Sequence, residues 1–245
     1  MSDPTFETNS SQHLFRGVFD TFEAARASAP GTRPIGYDNP ESAELYLRRL
    51  RVDDHDYPSM LWLAKSFGDG MTRVADCGGS IGIKYFAFGK FLDFPPALNW
   101  LVIEVPAAVT RGRSFAASRR APSALTFTAD LADADGVDVF FASGSLQYLD
   151  RSLPEILAGF DRLPRRILIN TTPIHPVESF FTLNSIGTAF CPYRIAAHGP
   201  FIDAIEAVGY RMRDEWRNLG KRMEIPNDPS RSLDHYCGFC FDLRT

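Results

Sequence analysis

A glycine-rich turn between an apolar strand and an apolar helix is the feature that most constrains the fold of this chain. The pattern lies in the segment RVADCGGSIG at 73–82, where the strand ends in an acid, and the helix is expected over 81–92. Glycines in the turn let the backbone bend sharply and approach a ligand without a Cβ in the way. The segment therefore predicts a seat for a nucleotide-like cofactor at the end of a strand.

A second apolar run, WLVIE at 100–104, also ends in an acid, Glu104. In a strand–helix–strand unit, a carboxylate here lies at the tip of the second strand and can accept both hydroxyls of a ribose. The turn does not match the G-x-G-x-x-G dinucleotide fingerprint, in which a helix N-terminus receives a pyrophosphate. Asp76 would repel a phosphate, but it can orient a cationic amino-acid group. These features favour S-adenosylmethionine (SAM), which carries an ammonium, a sulfonium and no phosphate.

The predicted elements divide the chain into two segments. Residues 1–70 contain helical patterns without strands, and we interpret them as an N-terminal helical cap over the cofactor site. From 71 to 245, strands and helices alternate, which predicts a mostly parallel sheet with helices on both faces. The expected fold class is α/β, with a Rossmann-like seven-stranded sheet in a SAM-binding domain. The cap helices are expected at 14–27, 41–50 and 58–67, the strands near 72–76, 100–104, 125–128, 137–142, 166–170, 210–219 and 236–243, and the later helices near 81–92, 106–119, 152–162 and 200–208.

Charge and composition argue against several classes of partner. The net charge is −4 at pH 7, and no Lys/Arg cluster resembles a phosphate-tracking stripe, so nucleic-acid binding is not expected. The N-terminus is acidic and polar, unlike a signal peptide, and no apolar run approaches the ~20 residues that a membrane helix needs. We expect a cytoplasmic enzyme that acts on a small molecule. The sequence does not indicate an oligomeric state.

The cysteines and acidic residues do not predict a metal site. Cys237 and Cys240 have a C-x-x-C spacing, but they lie in a predicted strand, where residues three apart point to opposite faces. We therefore expect two buried thiols that share neither a disulfide nor a metal. We interpret Asp53, Asp54 and Asp56 as a solvated linker, and no metal is expected.

Four motifs in order give the chain a resemblance to a known family: DCGGSIG at 76–82, VIEVP at 102–106, SGSLQYL at 143–149 and INTTP at 169–173. The chain resembles the class I (Rossmann-like) SAM-dependent methyltransferases, specifically a bacterial family with the pattern D-F-G-G-S-x-G, V-E-x-P, S-x-x-L-Q-Y-L and I-D-R-T-P. The resemblance covers residues 37–243. A related set of enzymes looks similar, but these close the aminobutyrate chain of SAM into azetidine-2-carboxylate.

The resemblance implies a role for each matching residue. Asp76 and the glycine turn would hold the methionine end of SAM, Glu104 would take the ribose hydroxyls, and Val105 would lie against the adenine. Asp130 would bond to the adenine amino group, and residues 143–148 would line the floor beside the sulfonium. The implied cofactor-binding residues are Asp76, Gly78, Gly79, Ser80, Gly82, Glu104, Val105, Asp130, Ser143, Gly144 and Ser145.

The chain departs from the family pattern at the end of the fifth strand, where Asn170 and Thr171 replace an acid and an arginine. Asn170 cannot act as a base, but its amide can orient an amine or a carboxylate. Aromatic faces suit a sulfonium, and Tyr148 and Tyr193 are expected at the ligand-binding edge of the sheet. His175 follows the fifth strand and His198 precedes the next helix, and either histidine is a candidate general base. The candidate catalytic residues are therefore Tyr148, Asn170, Tyr193 and His175.

Three functions are compatible with these motifs. The first is O- or N-methylation of a metabolite or natural-product intermediate, with release of S-adenosylhomocysteine (SAH). The second is cyclisation, in which the amine of SAM attacks the carbon γ to its carboxyl group and releases methylthioadenosine. The third is a SAM-binding protein without catalytic activity, against which the intact motifs argue.

Overall fold

The computed structural model describes residues 4–8, 13–45 and 50–244. The helices are α1 (Pro4–Thr8), α2 (Phe22–Ala27), α3 (Pro40–Glu44), α4 (Tyr57–Gly68), α5 (Ile83–Phe88), α6 (Pro106–Ser118), α7 (Leu153–Leu157) and α8 (His198–Ala207). The strands are β1 (Leu14–Phe19), β2 (Arg73–Cys77), β3 (Asn99–Ile103), β4 (Leu125–Thr128), β5 (Val139–Ser143), β6 (Arg166–Thr172), β7 (Ile174–His175), β8 (Phe180–Ser185), β9 (Phe190–Ala197), β10 (Tyr210–Asn218) and β11 (Tyr236–Leu243). Short 3₁₀ helices lie at Asp54–Asp56, Leu131–Ala134, Leu146–Tyr148 and Pro229–Arg231.

A seven-stranded sheet with the order β10-β11-β6-β5-β2-β3-β4 forms the centre of the fold. The strands from β6 to β4 pair in parallel, whereas β11 is antiparallel to both of its neighbours. The chain leaves β2 toward β3 on one side and later returns to β5 on the other, so the strand order reverses at β2. Ligands of open α/β sheets bind at the carboxyl ends of the strands at such a switch point. The predicted α/β class and the mostly parallel seven-stranded sheet are confirmed.

Helices cover both faces of this sheet, as predicted. On one face, Phe140 of β5 belongs to a buried cluster that includes Ile205 of α8. On the other face, Trp100 of β3 belongs to a cluster that includes Leu63 of α4 and Phe88 of α5. Strands that are buried on both sides read as continuous apolar runs. This is why the local sequence pattern located these strands.

The two cysteines of β11 lie as the strand periodicity predicts. Both are buried and unpaired. Cys237 belongs to the cluster that contains Phe140, and Cys240 to the cluster that contains Trp100, so the two thiols lie on opposite faces of the sheet.

The N-terminal segment is not a purely helical cap. The helix predicted over 14–27 is wrong in its first half, where residues 14–19 form β1 and pair antiparallel with β8. Helix α2 begins after Thr21, whose hydroxyl accepts a hydrogen bond from the Ala24 N–H at 3.1 Å. The helix expected over 58–67 is confirmed as α4. The helix expected over 41–50 is observed as α3, and 46–49 lie outside the described residues.

A second sheet, which was not predicted, has the order β1-β8-β9-β7. It joins the N-terminal segment to residues 174–197, which follow the parallel strands. Phe15 of β1, Tyr193 of β9 and Tyr236 of β11 share a buried cluster, which brings this sheet against the central one. The division of the chain at residue 70 stays a prediction. Among the described residues, no helix combines the length and apolarity needed to cross a membrane.

Candidate functional site

A cavity of about 630 Å³ opens at the carboxyl ends of the parallel strands. It lies at the switch point, where the ends of β2, β3, β5 and β6 meet, and its far wall comes from the second sheet. Most of the residues expected at the site line it. These are Asp76, Gly78, Gly79, Ser80, Glu104, Val105, Ser143, Gly144, Ser145, Tyr148 and Tyr193.

The glycine turn after β2 requires glycine at two adjacent positions. Gly78 has φ +76°, and a Cβ on it would lie 2.2 Å from the Ser145 Cβ. A Cβ on Gly79 would lie 2.4 Å from Oδ2 of Asp76. Ser145 also donates a hydrogen bond to the Cys77 carbonyl at 2.5 Å. The turn is therefore packed directly onto the Asp76 carboxyl and the end of β5, and its backbone faces the cavity.

The carboxyl of Asp76 is almost completely inaccessible to solvent. Its side chain is 1% exposed, and Oδ2 accepts a hydrogen bond from Nε1 of Trp100 at 3.1 Å. Burial raises the pKa of Asp76 to about 7, although the Trp100 hydrogen bond and the charge of Lys84 oppose the rise. Such a carboxylate gains strongly from a cationic ligand, because burial in a low-dielectric site disfavours an unpaired charge.

Glu104 stands at the tip of β3, one strand away. Its Oε1 accepts the Ser80 N–H and its Oε2 accepts the Val105 N–H, each at 3.0 Å. Burial raises the pKa of Glu104, and these two backbone hydrogen bonds oppose the rise. Each carboxylate oxygen keeps acceptor capacity for a further donor. The geometry suits a vicinal pair of hydroxyls.

Two of the predicted cofactor-binding residues lie outside the cavity lining. Gly82 caps α5 with φ +86°, and a Cβ on it would lie 3.3 Å from Leu125, so its place is structural. Asp130 is exposed and accepts a hydrogen bond from the Ala132 N–H at 2.9 Å, which caps the 3₁₀ helix at 131–134. A direct contact with the cofactor stays a prediction for both residues.

Two of the predicted catalytic residues are also outside the cavity lining. Both ring nitrogens of His175 are engaged by backbone: Nε2 lies 2.9 Å from the Ser230 carbonyl, and Nδ1 accepts two backbone N–H groups at 3.2 and 3.0 Å. The expectation that His175 is a general base therefore has no support in this geometry. Asn170 is fully buried at the end of β6, and its amide contacts protein groups.

Aromatic side chains form the wall of the cavity that faces the second sheet. The ring of Tyr148 meets those of Tyr37 and Tyr193 edge-on, each at 4.9 Å between centroids. The Tyr193 and Tyr236 hydroxyls are 2.9 Å apart. Burial raises the pKa of Tyr193 well above 10 and that of Tyr236 to about 12, so these phenols stay protonated. This wall offers ring faces and hydroxyl dipoles, but no base.

Several proteins of known structure have a fold similar to that of this chain. No protein-family model and no curated protein sequence matches the chain. A SAM-dependent methyltransferase from Clostridium acetobutylicum is similar in structure, with 8% identity over 84% of this chain and 98% of its own, and a TM-score of 0.52. The N-terminal domain of EvdMO1, crystallised with SAH, has 14% identity over 84% of this chain and 94% of its own, with a TM-score of 0.51. The mitomycin 7-O-methyltransferase MmcR has 15% identity over 91% of this chain and 61% of its own, with a TM-score of 0.50.

The chain has the class I methyltransferase fold. The segment after β5 and the end of β6 lie beside the glycine turn, and each carries a polar residue that the sequence motifs assigned no role of its own. Thr171 has φ +54°, which is a strained conformation for a β-branched residue. Its Oγ1 is buried in the cavity wall and has no hydrogen-bond partner in the described part of the chain.

Gln147 is the second of these residues, and it belongs to the 143–148 segment that was expected to line the floor beside the sulfonium. Its side chain is 4% exposed and hydrogen-bonds to Tyr193. Its Oε1 is buried without a partner among the residues described. Backbone strain and unmet buried polar groups concentrate at functional sites. The available sequence signals were the position of Thr171 opposite the family arginine and the place of Gln147 in the SGSLQYL motif.

The interpretation of Asp53, Asp54 and Asp56 as a solvated linker is wrong for Asp56, which is fully buried. Nζ of Lys84 lies 2.6 Å from Oδ1 of Asp56, and Lys84, His55 and Asp53 all line the cavity. Ligand atoms of Asp53, His55 and Asp56 lie within 4.8 Å of one another, a spacing that a metal ion can bridge. The Lys84 ammonium already neutralises the buried carboxylate, so the donor set does not favour a metal.

Proposed function

We propose that this protein binds SAM over the glycine turn and transfers a methyl group to an oxygen or nitrogen of a small molecule. The observation that carries the proposal is the buried Asp76 carboxyl beneath a turn where a Cβ at Gly78 or Gly79 would clash. When bound, SAM supplies a methyl carbon made electrophilic by a positively charged sulfur. The SAH in the EvdMO1 structure supports this choice of ligand.

The residues at the ends of β2, β3 and β5 fit the parts of SAM. Asp76 would pair with the ammonium, which removes the cost of an isolated buried charge. Glu104 would accept the ribose hydroxyls with the lone pairs that the Ser80 and Val105 N–H groups leave free. Val105 would lie against the adenine, and residues 143–145 would line the floor beside the sulfur. Gly82 would act through the turn that it helps to form.

The aromatic wall supports a reaction whose substrate already carries a positive charge, the sulfonium of SAM. Tyr37, Tyr148 and Tyr193 expose ring faces and edges to the same cavity. A cation over an aromatic face gains roughly 0.5–2 kcal/mol. Displacement at a sulfonium spreads that charge, so the main tasks of the protein are alignment and a matched electrostatic site.

The unpartnered Thr171 Oγ1 and Gln147 Oε1 support an acceptor that carries O–H or N–H groups. A buried oxygen without a partner costs roughly 1–3 kcal/mol, and a ligand donor would remove that cost. The cavity volume of about 630 Å³ lies in the range of small-molecule sites. The structurally similar mitomycin 7-O-methyltransferase MmcR acts on a small molecule by name.

Cyclisation of SAM is the second candidate. Residues of the N-terminal segment, including Phe15, Tyr37 and Ser42, line the cavity, and such a cover can fold the aminobutyrate tail. In that reaction the amine nitrogen bonds to the carbon γ to the carboxyl group, and the electron pair of the broken C–S bond goes to sulfur. The amine loses a proton, and the products are azetidine-2-carboxylate and methylthioadenosine.

One experiment separates the two candidates. The purified protein is incubated with SAM alone and with SAM plus a small-molecule extract, and SAH and methylthioadenosine are quantified by mass spectrometry. We expect SAH to form only with the extract. Methylthioadenosine from SAM alone would replace the first candidate by the second, and calorimetric binding of SAM without any turnover would indicate a non-catalytic SAM-binding protein. Absence of SAM binding would refute the whole proposal.

A further inference from the structure

His55 lies over the carboxyl ends of β5 and β6, on the side of the cavity next to the glycine turn. Its backbone carbonyl accepts a hydrogen bond from Nδ2 of Asn170 at 3.1 Å, and the same Nδ2 lies 3.5 Å from the Ser143 hydroxyl. The His55 side chain lines the cavity together with Ser143 and Asp76. His55 therefore borders the part of the cavity that lies at the ends of these strands.

The loop that carries His55, which includes the short 3₁₀ helix Asp54–Asp56, is fixed from below by the central sheet. The side-chain carbonyl of Asn170 accepts hydrogen bonds from Nε1 of Trp216 and Nδ2 of Asn218, both at 3.0 Å. Asn170 and Asn218 are almost fully buried. The Asn170 amide is thus held in one orientation, and its Nδ2 points at the His55 backbone. Asn170 acts as a positioning residue.

The loop is also fixed from the side by an ion pair. Asp56 accepts the Asp53 N–H at 3.0 Å through Oδ2 and pairs with Lys84 through Oδ1. Nε2 of His55 lies 4.0 Å from the nearest oxygens of Asp53 and Asp56, which is beyond hydrogen-bond reach. Neither ring nitrogen of His55 has a hydrogen-bond partner among 4–8, 13–45 and 50–244. The backbone is fixed while the imidazole is left available.

We propose that His55 is the general base that takes the proton of the acceptor during transfer. This inference rests on the proposed methyltransferase function. The acceptor O–H or N–H gives its proton to a ring nitrogen of His55, and the acceptor atom forms a bond to the methyl carbon. The electron pair of the C–S bond goes to sulfur, which leaves as a neutral thioether. The imidazolium then loses the proton to water.

The electrostatic surroundings favour the neutral imidazole that a base requires. Burial lowers the pKa of His55 below its ordinary value, and the cations of Lys221 and Lys84 lower it further, against the carboxylates of Asp56 and Asp53. The protonated phenols of Tyr193 and Tyr236 cannot take this role.

The test compares His55→Gln with the wild type in the transfer of a labelled methyl group from SAM to the small-molecule extract. A positioned base increases the rate of transfer by about a hundredfold to ten-thousandfold, so we expect kcat to fall by that factor while the SAM affinity measured by calorimetry stays the same.

The pH dependence of turnover provides a second readout. At saturating SAM, kcat of the wild type should rise with pH through the pKa of His55, and this rising limb of the pH profile should vanish in the variant. Added imidazole should partly rescue His55→Ala. Asn170→Ala should lower kcat but keep the limb.

The matched control is His198→Gln, at a half-exposed histidine on α8 that pairs with Glu215 and lies outside the cavity lining. We expect wild-type turnover from it. NMR of the imidazole signals provides a readout besides activity, in which the signal absent from His55→Gln should titrate below pH 6.5. If turnover and the rising limb of the pH profile persist in His55→Gln, His55 is not the general base, and the proposed function stays intact. A wild type that binds no SAM, or that turns none over with the extract, would overturn both.

Discussion

The pH dependence of SAM binding tests the role of Asp76 most sharply. Its side chain is 1% exposed, and burial raises its pKa from 3.8 to about 7 in the empty protein. Only the ionised carboxylate can pair with the ligand ammonium. The ionised fraction is about tenfold larger at pH 8 than at pH 6, so we expect SAM to bind about tenfold more tightly at pH 8, a difference of about 1.4 kcal/mol.

Calorimetry in buffers of different ionisation enthalpy measures both this affinity and the proton released on binding. Near pH 7, SAM should displace a fraction of a proton from Asp76. Methylthioadenosine lacks the ammonium but keeps the ribose that Glu104 would bind, so its affinity should change little over the same range. Asp76→Asn should bind SAM weakly and without the pH dependence. Equal SAM affinity at pH 6 and pH 8, or the same dependence for methylthioadenosine, would refute the reasoning.

The same pKa has a consequence for folding stability. A carboxyl whose pKa is higher in the folded protein than in the unfolded chain binds more protons when folded, so stability falls as pH rises between the two values. The rise from 3.8 to about 7 corresponds to about 4 kcal/mol, lost in full at pH 8. Asp76→Asn should therefore raise the free energy of unfolding of the empty protein at pH 8 by up to about 4 kcal/mol, and have little effect at pH 4. Urea denaturation measures both values.

Three further substitutions test individual contacts of the site. Thr171→Gly should raise the free energy of unfolding by about 1 kcal/mol, because it removes a left-handed β-branched residue and an unpartnered hydroxyl, yet it should lower turnover; loss of stability would contradict the strain argument. Glu104→Ala should weaken methylthioadenosine binding by about 10- to 100-fold, the worth of charge-assisted hydrogen bonds, and unchanged calorimetric affinity would remove Glu104 from the ribose role. Gly79→Ala places a Cβ 2.4 Å from Asp76 and should weaken SAM binding at least about tenfold, whereas wild-type affinity would contradict the close packing of the turn.

The strands of the central sheet were predictable because their signals are local. Each is an apolar run with turn residues at its ends, and β4 and β11 even match in both bounds. The segment of β1 was predicted as the start of a helix because LFRGVF contains no signal for pairing with β8, which lies far along the chain. The second sheet was not predicted for the same reason, because pairing between distant segments leaves no periodic pattern within either segment.

The site residues likewise differ in whether local sequence or tertiary structure determines their position. The turn, Glu104 and the 143–145 segment belong to motifs whose geometry is set by one strand and the loop that follows it, and the cavity gathers all of them. His55 comes from a loop that only the tertiary structure lays over β6, through the Asn170 amide. His175 was expected near the reaction because it follows β6, but the backbone groups that engage its ring come from residues 177, 178 and 230.

The fate of the methyl group tests the central claim most directly. The wild type is incubated with SAM that carries a trideuteromethyl group, together with the small-molecule extract, and the products are followed by mass spectrometry. Our account predicts that the intact label appears in a small-molecule product as unlabelled SAH accumulates. Label retained in methylthioadenosine, or label that never leaves SAM, would contradict it.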